Sequence, residues 1–153
     1  MTQQLPDALP SYRFYVEIDA IPQAVFTEVN GLQVETEVME YKEGGNNGFV
    51  HRLPGRTKVG NITLKRGMTR SNEFFSWYLG IAFGRKIIRR NLSIVMYDTV
   101  GKEVMRWDFI NAYPVKWTGP QFNAGGSASA VETVELAHDG LKAEIGNGSQ
   151  RAR

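Results

Sequence analysis

Tyr12-Arg13-Phe14-Tyr15-Val16-Glu17-Ile18-Asp19 alternates apolar and polar side chains. A period of two marks a strand with one buried face, here Phe14, Val16 and Ile18, and one polar face, Tyr15, Glu17 and Asp19. The same period recurs over residues 25–29, 32–41, 58–66, 91–97, 103–110, 115–118 and 130–138, which predicts about eight strands. Asn30-Gly31 suits a two-residue turn with positive φ, so residues 25–29 and 32–41 are expected to form a hairpin. Gly44-Gly45-Asn46-Asn47-Gly48 and Pro54-Gly55 break the pattern, and an extended exposed loop is expected as far as Lys58. The period becomes helical between Arg70 and Gly84, where Phe74, Trp77, Tyr78 and Ile81 share one face. Ser71 is the expected N-cap, and Gly84, followed by Arg85 and Lys86, the expected stop. The pattern predicts a mainly β chain, an antiparallel β-sandwich or barrel with one flanking α-helix.

The 153 residues suit one domain, and 42% hydrophobic with 11% aromatic residues supply one core. Residues 1–11 read as a flexible leader, 12–141 as the β domain and 142–153 as a flexible basic tail. The formal net charge is +2, too small to imply a nucleic-acid or acidic partner by itself. Absence of cysteine excludes a disulfide framework, a zinc ribbon and a thiol nucleophile. A membrane-spanning helix needs about 20 apolar residues, about twice the length of the most apolar stretch, 74–83, so membrane insertion of the free subunit is not expected.

Chemistry is sparse. His51 and His138 are the only histidines, which rules out a three-histidine metal site. Glu17/Asp19 and Glu35/Glu37 have the spacing that puts two carboxylates on one strand face, although a solvated outer face is the commoner use of such pairs. The glycine clusters lack the Lys-Ser/Thr of a phosphate loop. No catalytic, cofactor or metal residue is assigned. Charge is arranged in blocks: residues 28–43 carry five glutamates against Lys42, and residues 52–90 carry ten basic residues against Glu73. Arg85, Lys86, Arg89 and Arg90 form the best candidate patch for a nucleic-acid backbone. Opposite charges on opposite faces of identical subunits would instead join head to tail into rings or filaments.

Read together, Phe14-Tyr15-Val16-Glu17-Ile18, Phe26-Thr27-Glu28-Val29-Asn30-Gly31-Leu32, Tyr41-Lys42-Glu43-Gly44-Gly45, Leu53-Pro54-Gly55, Gly60-Asn61-Ile62-Thr63-Leu64-Lys65-Arg66-Gly67, the aromatic helix, Trp107 and Glu132-Thr133-Val134-Glu135-Leu136-Ala137-His138 resemble the tail-tube proteins of contractile phages and related contractile injection systems. The likeness covers residues 12–141. It implies a structural, non-enzymatic subunit without cofactors, six copies per ring, and rings stacked into a hollow tube inside a contractile sheath. Implied partners are further copies of the chain, sheath, baseplate or spike proteins, and a lumenal cargo of DNA or protein effector. Assembly in the bacterial cytoplasm is implied, as part of a virion or a tail-like particle that is released in some systems. By position, the loop after the first hairpin would reach an adjoining ring, which puts Glu40, Tyr41, Glu43, His51, Arg52, Arg56 and Lys58 at subunit contacts. Acidic 28–43 and basic 52–90 would then contribute opposite faces of the ring stack. Two alternatives stand beside this reading: a first-ring protein joining tube to baseplate, and a monomeric β-sandwich that binds nucleic acid.

Overall fold

A computed structural model describes residues 13–19, 21, 26–41, 44–45, 48, 50–70, 72–84, 86–126 and 130–145. Its elements are β1 (Arg13–Ile18), β2 (Glu28–Asn30), β3 (Val34–Tyr41), β4 (His51–Val59), β5 (Ile62–Gly67), α1 (Glu73–Ala82), β6 (Arg90–Tyr97), β7 (Glu103–Thr118), β8 (Val131–Ala137) and β9 (Gly140–Ile145). The mainly β, antiparallel architecture with one helix is the one expected. Seven strands join in the order β1-β6-β7-β8-β5-β2, with β9 also on β7, while β3 and β4 pair separately.

Residues 103–110 and 115–118 are not two strands. β7 runs through both, because Asn111 adopts φ +54 and bends the chain without ending it. β7 pairs with β9 up to Ile110 and with β6 up to Ala112, just past the bend; from Tyr113 it pairs with β8. Asparagine tolerates this left-handed conformation better than most residues. The Asn111 backbone N–H donates to Asn91 Oδ1 (3.2 Å) and its Nδ2 to Asp139 Oδ2 (3.0 Å), so the side chains flanking the bend hold it. One strand thereby folds the array into two facing halves.

The inward faces of those halves make the core: Val16 and Ile18 of β1, Leu92 and Ile94 of β6, Phe109 of β7, Ile62 and Leu64 of β5, and Val134 and Leu136 of β8. Helix α1 adds Phe74 and Trp77, while Tyr78 and Ile81 of the same predicted face are half-buried. Each such apolar side chain contributes about 1.5–3 kcal/mol when fully buried. Asn72 occupies the N-cap position without a side-chain cap bond, and the expected cap Ser71 lies outside the described residues, as does Arg85. Gly84 ends the helix as expected, with φ +68 and its N–H donating to Ile81 O (3.2 Å). Strand β9 includes residues 142–145, so the β structure continues past the expected start of the tail; residues 1–12 and 146–153 lie outside the described set.

Arg66, part of the basic stretch in the sequence, is turned inward and only 3% exposed. It sits opposite Glu132 on the β5–β8 ladder and donates through Nε to Glu132 Oε1. Trp117 Nε1 donates to the other carboxylate oxygen (3.1 Å), and the guanidinium lies over the Phe74 ring at 4.2 Å. The pair links helix, β5, β7 and β8. Removing one member of a buried pair leaves an uncompensated charge, so Glu132→Ala is expected to cost about 3–5 kcal/mol in urea unfolding. The double replacement Arg66→Met/Glu132→Leu is expected to cost only about 1 kcal/mol, for the Trp117 donor left without an acceptor.

At the β2 edge, Asn30 Nδ2 donates to Glu28 Oε1 (2.6 Å) and Lys65 Nζ lies 3.6 Å from Oε2. The Asn30 hydrogen bond, and then the Lys65 charge, hold the Glu28 carboxyl below the usual glutamate range. A lowered folded-state value stabilises the fold fully above the ordinary glutamate range, and that contribution disappears as pH falls through the lowered value. In an NMR titration of side-chain carboxyls, Asn30→Ala is expected to return Glu28 toward the usual value.

Candidate functional site

The expected hairpin of residues 25–29 with 32–41 does not form. β2 pairs with β5, and β3 pairs with β4. The reason lies in the register: Asn30 is opposite Thr63 and Val34 opposite Val59, four residues further along each strand. β2 and β3 are thus successive parts of one line, and the β3–β4 ribbon is the β2–β5 pair carried onward without a slip. Gly31 has the expected positive φ, +87, but uses it at the junction between the two pairs and not in a tight turn. A Cβ there would lie 2.1 Å from Asn61 O, so the close approach of the chains admits only glycine.

The extended loop expected over 44–58 is a correction too. Its second half is strand β4, which starts at His51. Pro54 is accommodated because this two-stranded ribbon leaves one backbone edge of each strand without a ladder partner, and the register shifts between Thr36 and Val38. Gly44, Gly45 and Gly48 occupy turns at the ribbon's end.

Every residue of β3 is exposed, and β4 is half-buried only at Gly55 and Val59. Beyond isolated contacts, the two strands pack on each other alone among the described elements. Alternation places Met39/Leu53 and Tyr41/His51 on one face and Val38/Pro54 and Glu40/Arg52 on the other. Val38, Met39, Tyr41 and Leu53 are 55–63% exposed, far more than apolar side chains of an ordinary strand.

All the residues expected at subunit contacts that fall in the described set lie on this ribbon: Glu40, Tyr41, His51, Arg52, Arg56 and Lys58. Glu43 lies outside the described residues. The sequence reading did not name Val38 and Met39, within an expected strand, or Leu53, within the expected loop. The signal that separates them from core is charge pairing in the same register. Lys58 Nζ is 2.8 Å from Glu37 Oε1, Arg52 Nε is 4.0 Å from Glu40 Oε1, and Glu35 is directly opposite Lys58. The acidic block 35–40 and the basic block 52–58 are therefore the two strands of one ribbon, facing each other inside the chain.

Other candidate chemistry is engaged elsewhere. Glu17 Oε2 lies 3.5 Å from Arg106 Nη1, and Asp19 Oδ2 accepts from the Asn91 N–H (3.3 Å). Arg106 also donates to Glu103 (2.9 Å); that hydrogen bond, ahead of the nearby carboxylate charges, raises its pKa against the opposing effect of partial burial. Arg89 pairs with Asp139 (3.0 Å) and covers Tyr113; Arg90 donates to Asp19 O (2.8 Å) and lies over Trp77. Two members of the proposed nucleic-acid patch are thus committed within the chain. Among the described residues no group of three or more His, Asp or Glu is placed to hold a metal, and no described helix is long and apolar enough to cross a membrane.

Lys58→Glu is expected to fray the ribbon by local repulsion from Glu35 and Glu37, and Glu37→Lys in the same chain to restore it in part. Both residues are exposed, so global stability is expected to change by less than about 1 kcal/mol, the effect being read in amide exchange of residues 34–59.

Comparison with known proteins follows this geometry. No curated protein matches the chain. The chain is similar to one in the cryo-EM structure of the anti-feeding prophage cap, the AFP tube terminating cap, at 27% identity and a TM-score of 0.79 over 95% of both chains. It is also similar to a chain of the sheath–tube complex of PVC, an extracellular contractile injection system in the extended state, at 27% identity and a TM-score of 0.78 over 92% of this chain and 94% of that one. A type six secretion system protein shares the fold alone, at 13% identity and a TM-score of 0.60 over 94% of this chain and 93% of that one. Residues 10–142 match the family of the T4-like virus tail tube protein gp19, a span that takes in both halves of the sandwich and the ribbon, and the chain belongs to that family.

Proposed function

We propose that this chain is a structural subunit of the tube of a contractile injection system or contractile tail, closing into six-copy rings that stack into a hollow conduit. The observation that carries the reading is the ribbon: a two-stranded extension with exposed apolar residues and no cover among the described residues. An isolated two-stranded hairpin is marginal in water, and contiguous exposed apolar surface marks a contact site. A neighbouring copy would supply both cover and partner. Tyr41 and His51 would meet it on the Met39/Leu53 face, Glu40 and Arg52 on the opposite face, with Glu43, Arg56 and Lys58 at the rim. Sheath and baseplate proteins would be the outer partners, cargo would occupy the lumen, and assembly would take place in the cytoplasm before the particle acts outside it. The subunit's role needs no catalytic residue.

A tube-terminating ring is the second reading, supported by the similarity to the AFP cap at the same identity as to the PVC sheath–tube complex. Electron microscopy of the purified protein separates the two: tubes of indefinite length mark a main-tube subunit, and single rings mark a terminal or first-ring protein.

Because Glu37 with Lys58 and Glu40 with Arg52 form ion pairs within the ribbon, the contact is expected to be mainly apolar and nearly indifferent to screening. Met39→Ser/Leu53→Ser is expected to leave the monomer's circular dichroism unchanged and to abolish rings and tubes. Assembly by the wild-type chain is expected to persist from 0.1 to 1 M salt; tubes formed equally well by the double variant would overturn this role for the ribbon.

A further inference from the structure

His138, which no functional reading of the sequence used, stands at the junction between sandwich and ribbon. Its Nε2 lies 2.8 Å from Gly60 O. A carbonyl only accepts, so Nε2 carries the proton and donates. Its Nδ1 is buried without a hydrogen-bond partner among the described residues, and the ring packs edge-on against Phe109 at 4.8 Å between centroids. The imidazole therefore makes one directed bond, and makes it to the link between β4 and β5. On the same link Asn61 Nδ2 donates to Glu135 Oε1 (3.0 Å), so β8 and the residue just past it grip both residues that separate ribbon from sandwich. The Gly60 N–H donates to Gln33 O (3.1 Å), which ties this link to the other chain crossing. Gly31 completes the junction by its close approach to Asn61 O.

We infer that His138, through Gly60, is a positioning residue for the ribbon: it locks the joint at residues 31–33 and 60–61 and so sets the direction in which the ribbon leaves the sandwich. The ribbon packs on no other element beyond isolated contacts, so these crossings are where its orientation is decided. A small rotation at the joint is multiplied along β3 and β4 to the far end, where Tyr41 and His51 face each other. The inference rests on the reading of the ribbon as the assembly element for its consequence, but its local claim is tested separately.

The test is amide exchange by mass spectrometry on the full-length chain, comparing residues 31–61 with core residues 90–112. His138→Phe keeps the ring against Phe109 and removes the donor; His138→Gln supplies a side-chain N–H at similar reach. Exchange over 31–61 is expected to rise about tenfold in His138→Phe, the loss of one hydrogen bond, with 90–112 unchanged and His138→Gln close to wild type. Gly31→Ala, which loosens the same joint from the opposite crossing, is expected to give the same ribbon-specific pattern and carries the test if His138→Phe does not fold. Ribbon exchange that stays at the wild-type level, or a rise spread equally over core and ribbon, would overturn the inference. A looser ribbon with assembly intact would leave the lock standing and count against the ribbon's role in assembly.

Discussion

The left-handed turn of one residue, Asn111, is the constraint on which the sandwich depends. β7 is the single strand common to both halves, and the bend lets its first part pair with β6 and β9 and its second with β8. Without the bend the two groups of strands would continue as one flat array, and the apolar faces that now oppose each other would point to water. Asn91 and Asp139, from the strand and turn beside it, satisfy the polar groups that the bend frees. The Asp139 N–H also donates to Ile110 O (2.8 Å), so β9 begins where the bend begins. The buried Arg66–Glu132 pair then fastens the helix onto the second half through Phe74 and Trp117.

Outside this closed body, the ribbon follows different rules. It has no core, and its order comes from being the continuation of a ladder that already exists. Extending an established ladder avoids the cost of nucleating a separate pair, because each added pair closes a short loop. Gly31 allows that continuation to pass the close approach to Asn61 O. The apolar residues left on the surface are then available to another molecule, while ion pairs between the strands keep the charged residues occupied.

Strand identity was legible wherever one face is buried. β1, β6 and β8 show the period of two and lie within about two residues of their expected limits, β5 starts four residues later than expected because residues 58–59 belong to β4, and α1 shows its helical period through Phe74 and Trp77. The misreadings have physical causes. Asn30-Gly31 has the composition of a tight turn, and only the position of Asn61 O shows that its positive φ serves a crossing. Pro54-Gly55 signals a loop in a strand with two neighbours, but β4 has one. The pattern of two gives separate strands at 103–110 and 115–118, because it is interrupted where β7 bends at Asn111 without ending. Arg66 lies in a stretch of basic residues whose other described members are exposed or half-buried, and Glu132, its partner, is remote in sequence. The residues expected at contacts, Glu43 apart, lie on β3 and β4 together, a pairing that the loop reading of residues 44–58 did not show, and the charge pairing that marks the apolar residues beside them as surface is visible only in the register of those strands.

The register carried without a slip from the β2–β5 pair into the first pairs of the ribbon gives it a mechanical character. A pull along its length enters the sandwich through β2 and β5 and runs parallel to their strands, so the hydrogen bonds of the ladder are loaded together in shear and not opened one at a time. β2 contributes three paired positions, whereas β5 is held on its other side by six to β8, with the Arg66–Glu132 pair at one of them. Load is therefore carried into the middle of the sheet and not along its edge. A chain gripped by its ribbon would resist extraction through many bonds acting at once.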